Sequence, residues 1–189
     1  VRHGAAHLME IYDAPSDTRE EPSMSVLPAC EIKTYRNADD LPADAEEMFA
    51  RQLADSREEL PEDRSDRGLW HFLLVCAVTP DGKVLGGVHL DVGPINGAGP
   101  MARMKLAYLE RTFVLPEHRR WGLGSLMLEK AIEVLTEEGC EYIRCSNNWD
   151  NSAERALLRR SGFALIDLDG DHDPEPCYLA VRPVQNLTR

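Results

Sequence analysis

Apolar positions recur along this chain with two different periods, and the two periods alternate. A spacing of three and four residues, typical of an amphipathic helix, runs from Leu123 to Leu135 and again over residues 152–160. Short apolar or alternating runs, typical of β-strands, lie at residues 29–36, 70–78, 84–92, 109–114, 141–145, 164–168 and 177–183. This order predicts an α/β domain in which helices pack on a sheet.

Polar residues separate the predicted strands and mark further elements. Residues 37–40, Asn-Ala-Asp-Asp, are a helix-start signal, and an acidic helical stretch then continues to about residue 66. Pro80-Asp81-Gly82 predicts a hairpin turn between two strands. Residues 93–100 are rich in glycine and residues 147–151 are rich in asparagine, so we expect a loop at each.

One junction combines an apolar strand, a glycine turn and a helix. The run that ends at Val114 is followed by Arg119-Arg120-Trp121-Gly122-Leu123-Gly124, and helical spacing begins directly afterwards. Such a turn directs backbone N–H groups and the positive end of the helix dipole at one point, which suits a phosphate or pyrophosphate. A packing turn with solvated arginines would have the same sequence, so the turn alone leaves both interpretations open.

Composition narrows the class of protein. The chain has 189 residues and a formal net charge of −12, which suits one acidic domain and disfavours general nucleic-acid binding. The acidity attracts cationic molecules or serves only solubility. Because there is no apolar run of about 18 residues and no signal-like opening, we expect a cytoplasmic protein without a membrane segment.

The domain organisation and the cysteines are simple. Residues 1–28 read as an acidic N-terminal arm without sustained periodicity, and residues 29–189 as the folded domain. The five cysteines form no C-x-x-C pair, so we expect buried thiols and no metal site. The acidic loop over residues 167–173 also departs from the spacing of a calcium loop.

Two motifs together resemble the GCN5-related N-acetyltransferase (GNAT) family over residues 29–183. The pyrophosphate-loop motif of that family is matched by Val114, Pro116, Arg119, Gly122 and Gly124. The second motif, an asparagine, a helix with small residues and then Gly-Phe, is matched by Asn151, Ala153, Ala156, Leu157, Gly162 and Phe163. Met127 stands where a Rossmann dinucleotide loop has its third glycine, and no Walker Gly-Lys-Ser/Thr occurs.

The resemblance implies a single α/β domain with a mixed, mainly antiparallel sheet of about six to seven strands, and acetyl-CoA as co-substrate. Backbone groups of Phe113 and Val114 would pair with the pantetheine amides, although both side chains also suit core packing. Backbone amides from Arg120 to Ser125 would hold the pyrophosphate, and Arg119 would complete the turn. The predicted cofactor-binding residues are Phe113, Val114, Arg119, Arg120, Trp121, Gly122, Leu123, Gly124, Ser125 and Asn151.

Glu110 is the predicted catalytic base. An alkyl amine has a pKa near ~10.4 and is mostly charged at neutral pH, so a base or a water relay assists its attack. Family members often carry an acid or a water-holding group on the strand where Glu110 lies, and alternation by two would place it beside Thr112 and Val114. An ion pair with Arg111 or with a cation of another strand is the structural alternative.

The position of the family's proton-donating tyrosine is occupied by Leu158, four residues before Gly162. Leucine cannot donate a proton to the departing thiolate. Cys145, Ser146 and Tyr178 are the substitute donors, and each also suits a structural role. Because a CoA thiol has a pKa of about 8.5, its thiolate leaves readily and a missing acid matters less than a missing base.

The sequence therefore predicts an acetyl-CoA-dependent N-acetyltransferase that moves the acetyl group to a primary amine by direct attack. The alternative is a non-catalytic acyl-CoA-binding or regulatory module, and a longer acyl group or a hydroxyl acceptor stays open. The expected partner is a small-molecule or peptide amine, with no nucleic acid and no membrane, and a homodimer is left open. Acidic residues at 39–62 would receive a cationic amine or form a solvated helix face. Trp149 would cover the acceptor or anchor its loop.

Overall fold

The computed structural model describes residues 28–36, 40–49, 71–94, 104–167 and 177–184. Their strands are β1 (Glu31–Tyr35), β2 (His71–Val78), β3 (Val84–Pro94), β4 (Lys105–Val114), β5 (Tyr142–Asn148), β6 (Ala164–Asp167) and β7 (Cys177–Pro183). The α-helices within the described ranges are α1 (Ala43–Met48), α2 (Leu123–Glu137) and α3 (Ser152–Arg160), and a 3-10 turn covers Pro116–His118.

The strands form one seven-stranded sheet in the order β1-β2-β3-β4-β5-β7-β6. Every neighbouring pair is antiparallel except β4 and β5, which run parallel because α2 carries the chain back between them. The predicted α/β class with a mixed, mainly antiparallel sheet is confirmed, and seven strands fall within the predicted number.

The helices cover the two faces of the sheet unequally. α2 buries its apolar stripe, including Met127, Leu128 and Leu135, on one face, where it joins a large core with β2, β3 and β4. α1 covers part of the opposite face through Phe49, which packs with Leu74 and Cys76 of β2. These faces are called the α2 face and the α1 face below.

Several boundaries differ from the predicted ones. α1 begins at Ala43 and not at the predicted signal before residue 41, because Pro42 occupies the N-cap and lacks the N–H that a helix interior requires. β4 begins at Lys105, and β5 continues to Asn148 and so includes Asn147 from the predicted loop. The predicted arm up to residue 27 and most of the predicted acidic helical stretch lie outside the described residues.

β4 and β5 pair only over a short distance. Their register runs from Leu106↔Tyr142 to Tyr108↔Arg144 and stops there. β5 stays paired with β7 as far as Asn148↔Cys177, and β4 stays paired with β3 as far as Val114↔Gly86. Beyond Tyr108 the two strands therefore separate, and β4 has an edge without a strand partner among the described residues. We call residues 109–114 of that edge the open edge.

Candidate active site

The hydrogen-bond register determines which peptide groups face the open edge. The N–H of Leu115 donates to the carbonyl of Leu85 at 2.9 Å, so these two residues form a hydrogen-bonded antiparallel pair. Bonded and non-bonded pairs alternate along such a ladder. The Gly87↔Phe113 pair is therefore bonded, whereas Val114 and Thr112 direct their N–H and C=O groups away from β3.

This register corrects the prediction for Phe113. Its N–H and C=O groups face β3, so they do not point out from the open edge, and its ring packs on the α1 face. Thr112 takes that place beside Val114, and sequence reasoning missed it because strand phase depends on the tertiary register. The buried Oγ1 of Thr112 has no hydrogen-bond partner among the described residues, so a polar ligand such as pantetheine fits this edge.

The turn before α2 concentrates unused hydrogen-bond donors. Arg120 and Gly122 have positive φ angles of 68° and 85°, and Gly122 is the N-cap of α2 without a side-chain cap. Within the described chain, the backbone N–H groups from Arg120 to Ser125 have no recorded protein acceptor. Left-handed residues next to a helix start form an anion-binding nest, so this turn suits a pyrophosphate.

Arg119 joins this turn to the end of β4. Its Nε donates to the carbonyl of Val114 at 2.9 Å, and its guanidinium carbon lies 6.0 Å from the centre of the Phe113 ring. The remaining guanidinium donors point away from that bond and stay exposed. Arg119 therefore positions the turn against the open edge and adds positive charge there.

The ring of Trp121 packs on the same turn. Its centroid lies 5.5 Å from that of His118, in an edge-on arrangement. Its predicted contact with the cofactor therefore rests on its backbone N–H, since the ring is already in contact with His118. That contact stays a prediction.

α3 borders the turn from the other side. A Cβ built on Gly124 would lie 3.5 Å from Cδ2 of Leu157, so the first turn of α2 packs directly on α3. Asn151 is the N-cap of α3, where its Oδ1 accepts from the N–H of Glu154 at 3.2 Å. The side chain of Asn151 is thus used within the helix, and its predicted place beside the cofactor depends on the position of α3.

The β4 strand is bulged at Glu110. His89 pairs with Arg111 and Leu90 pairs with Leu109, so Glu110 is the extra residue between two registered positions. Strict alternation from Val114 and Thr112 therefore does not extend to Glu110, and that part of the expectation is wrong. Leu109 points into the core on the α2 face, and the next residue, the exposed Glu110, points to the α1 face.

The ion pair of Glu110 with Arg111 stays a prediction, and Arg111 has further contacts that join β4 to α1. Nη1 of Arg111 donates to the carbonyl of Met48 at 3.1 Å, and its guanidinium stacks between the rings of Phe49 and Phe113. Arg111 thereby fixes α1 against β4. The exposed side chain of Glu110 lies on the same face.

The substitute proton donors have structural surroundings. Burial raises the pKa of the Cys145 thiol to about 12. Burial also raises the pKa of Tyr178, whose hydroxyl donates to Oε2 of Glu154 at 3.3 Å. Leu158 is fully buried in the core on the α2 face, so a tyrosine in its place would crowd a packed position. Ser146 is exposed, and its Oγ is 3.1 Å from the hydroxyl of Tyr108.

Glu154 holds together the loop between β5 and α3. Its Oε2 accepts from Asn147, from Asn151 at 3.0 Å and from Tyr178, and burial raises the pKa of its carboxyl. Trp149 packs in the same loop, 5.3 Å from the Tyr178 ring and beneath the guanidinium of Arg155. These contacts support the anchoring interpretation of Trp149.

Other described features limit the kinds of chemistry. No group of three or more His, Cys, Asp or Glu side chains within the described ranges could hold a metal ion. No helix in that part of the chain is long and apolar enough to cross a membrane. None of the five cysteines, all of which lie within the described residues, forms a disulfide bond.

Comparisons with known proteins agree with this geometry. A family model described as the acetyltransferase (GNAT) family matches residues 36–163. The chain is 29% identical over 93 residues to aminoglycoside N(6')-acetyltransferase type 1 of Klebsiella aerogenes, a match that covers 49% of this chain and 60% of that protein. It is 25% identical over 128 residues to thialysine N-epsilon-acetyltransferase of Bos taurus, covering 67% and 75% respectively.

The fold is also similar to solved structures. NAA60 of Arabidopsis thaliana, crystallised with acetyl-CoA, superposes with a TM-score of 0.56 and 16% sequence identity. The superposition covers 82% of this chain and 100% of that one. At 16% sequence identity this similarity shows the fold alone.

Proposed function

Because the chain belongs to the acetyltransferase (GNAT) family, whose co-substrate is acetyl-CoA, we propose that it transfers an acetyl group to a primary amine by direct attack on the thioester. As a family member it is an acyltransferase. The observation that carries the proposal is the open edge of β4 beside the N–H groups from Arg120 to Ser125. An elongated amide-containing ligand with a pyrophosphate fits both at once.

Binding would use the backbone more than the side chains. Val114 and Thr112 would pair with the pantetheine amides in the way that an added strand pairs with a sheet edge. The turn residues Arg120, Trp121, Gly122, Leu123, Gly124 and Ser125 would donate N–H groups to the pyrophosphate, with Arg119 beside them. Bound acetyl-CoA supplies an activated thioester carbonyl.

Glu110 would take the proton of the attacking amine, directly or through one water. Forming the neutral amine at pH 7 costs about 4 to 5 kcal/mol for a pKa near ~10.4, so a nearby carboxylate contributes directly to the rate. The products are an amide and the free CoA thiol. Since Cys145 and Tyr178 are buried with raised pKa values, we propose that the thiolate leaves without a dedicated protein acid.

The proposed acceptor is an amine. The names of two relatives give an aminoglycoside as the substrate of one and thialysine as the substrate of the other. A small molecule or a peptide would reach Glu110 from the α1 face. The five cysteines form no disulfide within the described residues, which supports a location in the reducing cytoplasm. A homodimer stays a prediction.

Release of free CoA thiol, measured with a panel of primary amines, tests the function. We expect Glu110→Gln to lower turnover more at pH 7 than at pH 9, because the neutral fraction of an alkyl amine rises about a hundredfold over those two pH units. Glu129→Gln, an exposed carboxylate on α2, is the matched control and should keep the wild-type profile.

An identical pH profile for Glu110→Gln and the wild type would show that Glu110 is not the base. Binding of acetyl-CoA without thiol release by any amine would favour the non-catalytic acyl-CoA-binding module. The two results are distinguishable because calorimetry reports binding separately from turnover.

A further inference from the structure

The point where β4 and β5 separate carries three polar side chains on the α1 face. Tyr108 and Arg144 are the last registered pair between the two strands, and Ser146 follows two residues later on β5. Directly opposite residues point to the same face of a sheet, so Tyr108 and Arg144 are neighbours there. We call Tyr108, Arg144 and Ser146 the strand-fork cluster.

The contacts within this cluster orient an unused positive charge. The guanidinium carbon of Arg144 lies 5.4 Å from the centre of the Tyr108 ring, a cation–π contact. No carboxylate within the described ranges forms an ion pair with Arg144, and its side chain is exposed. A cation–π contact uses the charge of the guanidinium and not its N–H groups, so these donors are left for a ligand.

Two hydroxyl groups belong to the same cluster. The hydroxyl of Tyr108 is 3.1 Å from Oγ of Ser146, and either oxygen can be the donor. The hydroxyl that accepts keeps its own proton for a further bond. An arginine edge with a neighbouring hydroxyl donor is complementary to a carboxylate, which accepts two parallel bonds from a guanidinium.

Negative charges on the same face lie at other positions. Asp91 is paired across β3 and β4 with Tyr108, on the side away from Arg144, and its Oδ1 is 3.3 Å from Nε2 of the buried His89. Glu110 follows Tyr108 by two residues, about 6.6 Å along the strand. On this face the proposed base Glu110 and the guanidinium of Arg144 therefore lie on neighbouring parts of the two strands.

We infer that the strand-fork cluster binds a carboxylate of the acceptor, so that the substrate is a primary amine that also carries a carboxylate. This rests on the proposed acetyl transfer at Glu110 and names the class of its acceptor. Arg144 determines the specificity by its charge and its bidentate donors, and Tyr108 and Ser146 orient it. A chain with a net charge of −12 repels anions in general, so a preference for a carboxylate requires such a local site.

The test uses ω-amino carboxylates of increasing length, from glycine to 6-aminohexanoate, each compared with its own neutral carboxamide. We expect at least one carboxylate to exceed its carboxamide about tenfold or more in kcat/KM, measured by thiol release. Arg144→Gln should remove that preference by raising KM for the carboxylate roughly 10- to 100-fold, with a much smaller change for the carboxamide. Arg144→Lys, which keeps the charge, should retain part of the preference.

Arg160→Gln, an exposed arginine on α3, is the matched control and should keep the preference. Equal kcat/KM values for every carboxylate and its carboxamide would overturn the inference, as would an equal loss for both acceptors in Arg144→Gln. If amines outside this series release thiol and the series does not, the inference alone fails. If no amine releases thiol, the proposed function fails. Calorimetry of 6-aminohexanoate with the CoA-saturated wild type and with Arg144→Gln then tests the subsite alone: weaker binding by the variant supports the subsite, and equal binding overturns it.

Discussion

The two helices that border the candidate active site begin in opposite ways. α3 begins at Asn151, whose side chain accepts the N–H of Glu154, and the carboxylate of Glu154 is in turn bonded by Asn147, Asn151 and Tyr178. α2 begins at Gly122, which has no side chain to offer and leaves the first N–H groups without a protein acceptor. One helix start is satisfied internally, and the other keeps N–H donors that we propose bind the pyrophosphate.

The difference shows how a helix terminus becomes a binding site. Every α-helix has unsatisfied N–H groups in its first turn, and an asparagine cap satisfies one of them. At α2 the cap is replaced by a glycine with a φ of 85°, so the donors converge on open space. The stability that a cap would contribute is absent there, and we propose that these donors bind an anion instead.

The largest expected effect comes from placing a carboxylate at the open terminus. Gly122→Glu should weaken acetyl-CoA binding by about a hundredfold or more, because the new carboxylate repels the pyrophosphate and competes for the same N–H groups. Gly139→Glu is the matched control, since Gly139 also has a positive φ and open space around a Cβ but lies beyond the other end of α2. Calorimetry should find near wild-type affinity in the control. Equal losses in both variants would attribute the effect to backbone strain and not to the anion site.

A pair of alanine variants separates conformational strain from packing. Gly122→Ala should destabilise the fold by about 1–2 kcal/mol, because a Cβ is unfavourable at a φ of 85°. Gly124→Ala should be neutral or stabilising by up to about 1 kcal/mol, since its Cβ would lie at ordinary contact distance, 3.5 Å, from Leu157 within a helix. Urea denaturation measures both. A larger loss of stability in Gly124→Ala than in Gly122→Ala would show that the packing of α3 on Gly124, and not the backbone conformation of the turn, limits which residues fit here.

Removal of the cap of α3 should affect stability and leave the anion site intact. Asn151→Ala should lower the free energy of unfolding by about 1 kcal/mol, with acetyl-CoA affinity changed less than about threefold. Ser152→Ala, on the exposed neighbouring residue, is the control for a local change without loss of the cap. A tenfold loss of affinity at unchanged stability would instead identify Asn151 as a direct ligand of the cofactor.

The sequence predicted the strands, helices and turn of this site better than it predicted which residues of β4 face the open edge. The motif from Val114 to Gly124 and the order of strands and helices could be read directly, because glycine turns and apolar periods are local properties. The bulge at Glu110 and the assignment of the open edge to Thr112 could not, because both depend on how β4 is registered against β3. The strand-fork cluster was missed for the same reason, since Tyr108 and Arg144 are distant in sequence and meet only through strand pairing.

The smallest expected effect concerns how the stability of the capped start of α3 depends on pH. Burial raises the pKa of Glu154 in the folded state, so the folded protein holds this proton more tightly than the unfolded chain does. The stability that the protonated Glu154 contributes is therefore fully present below the pKa of the unfolded chain, and it declines as the pH rises through the raised pKa of the folded state. Glu154→Gln resembles the protonated form at every pH, so the variant should gain stability relative to the wild type as the pH increases from about 4 to 7.

Thermal unfolding of both proteins across this range measures the difference, and Glu129→Gln on the exposed side of α2 should show no such trend. A difference that is constant with pH would mean that the hydrogen bonds to Asn147, Asn151 and Tyr178 cancel the effect of burial on this carboxyl, and a trend of the opposite sign would mean that they outweigh it.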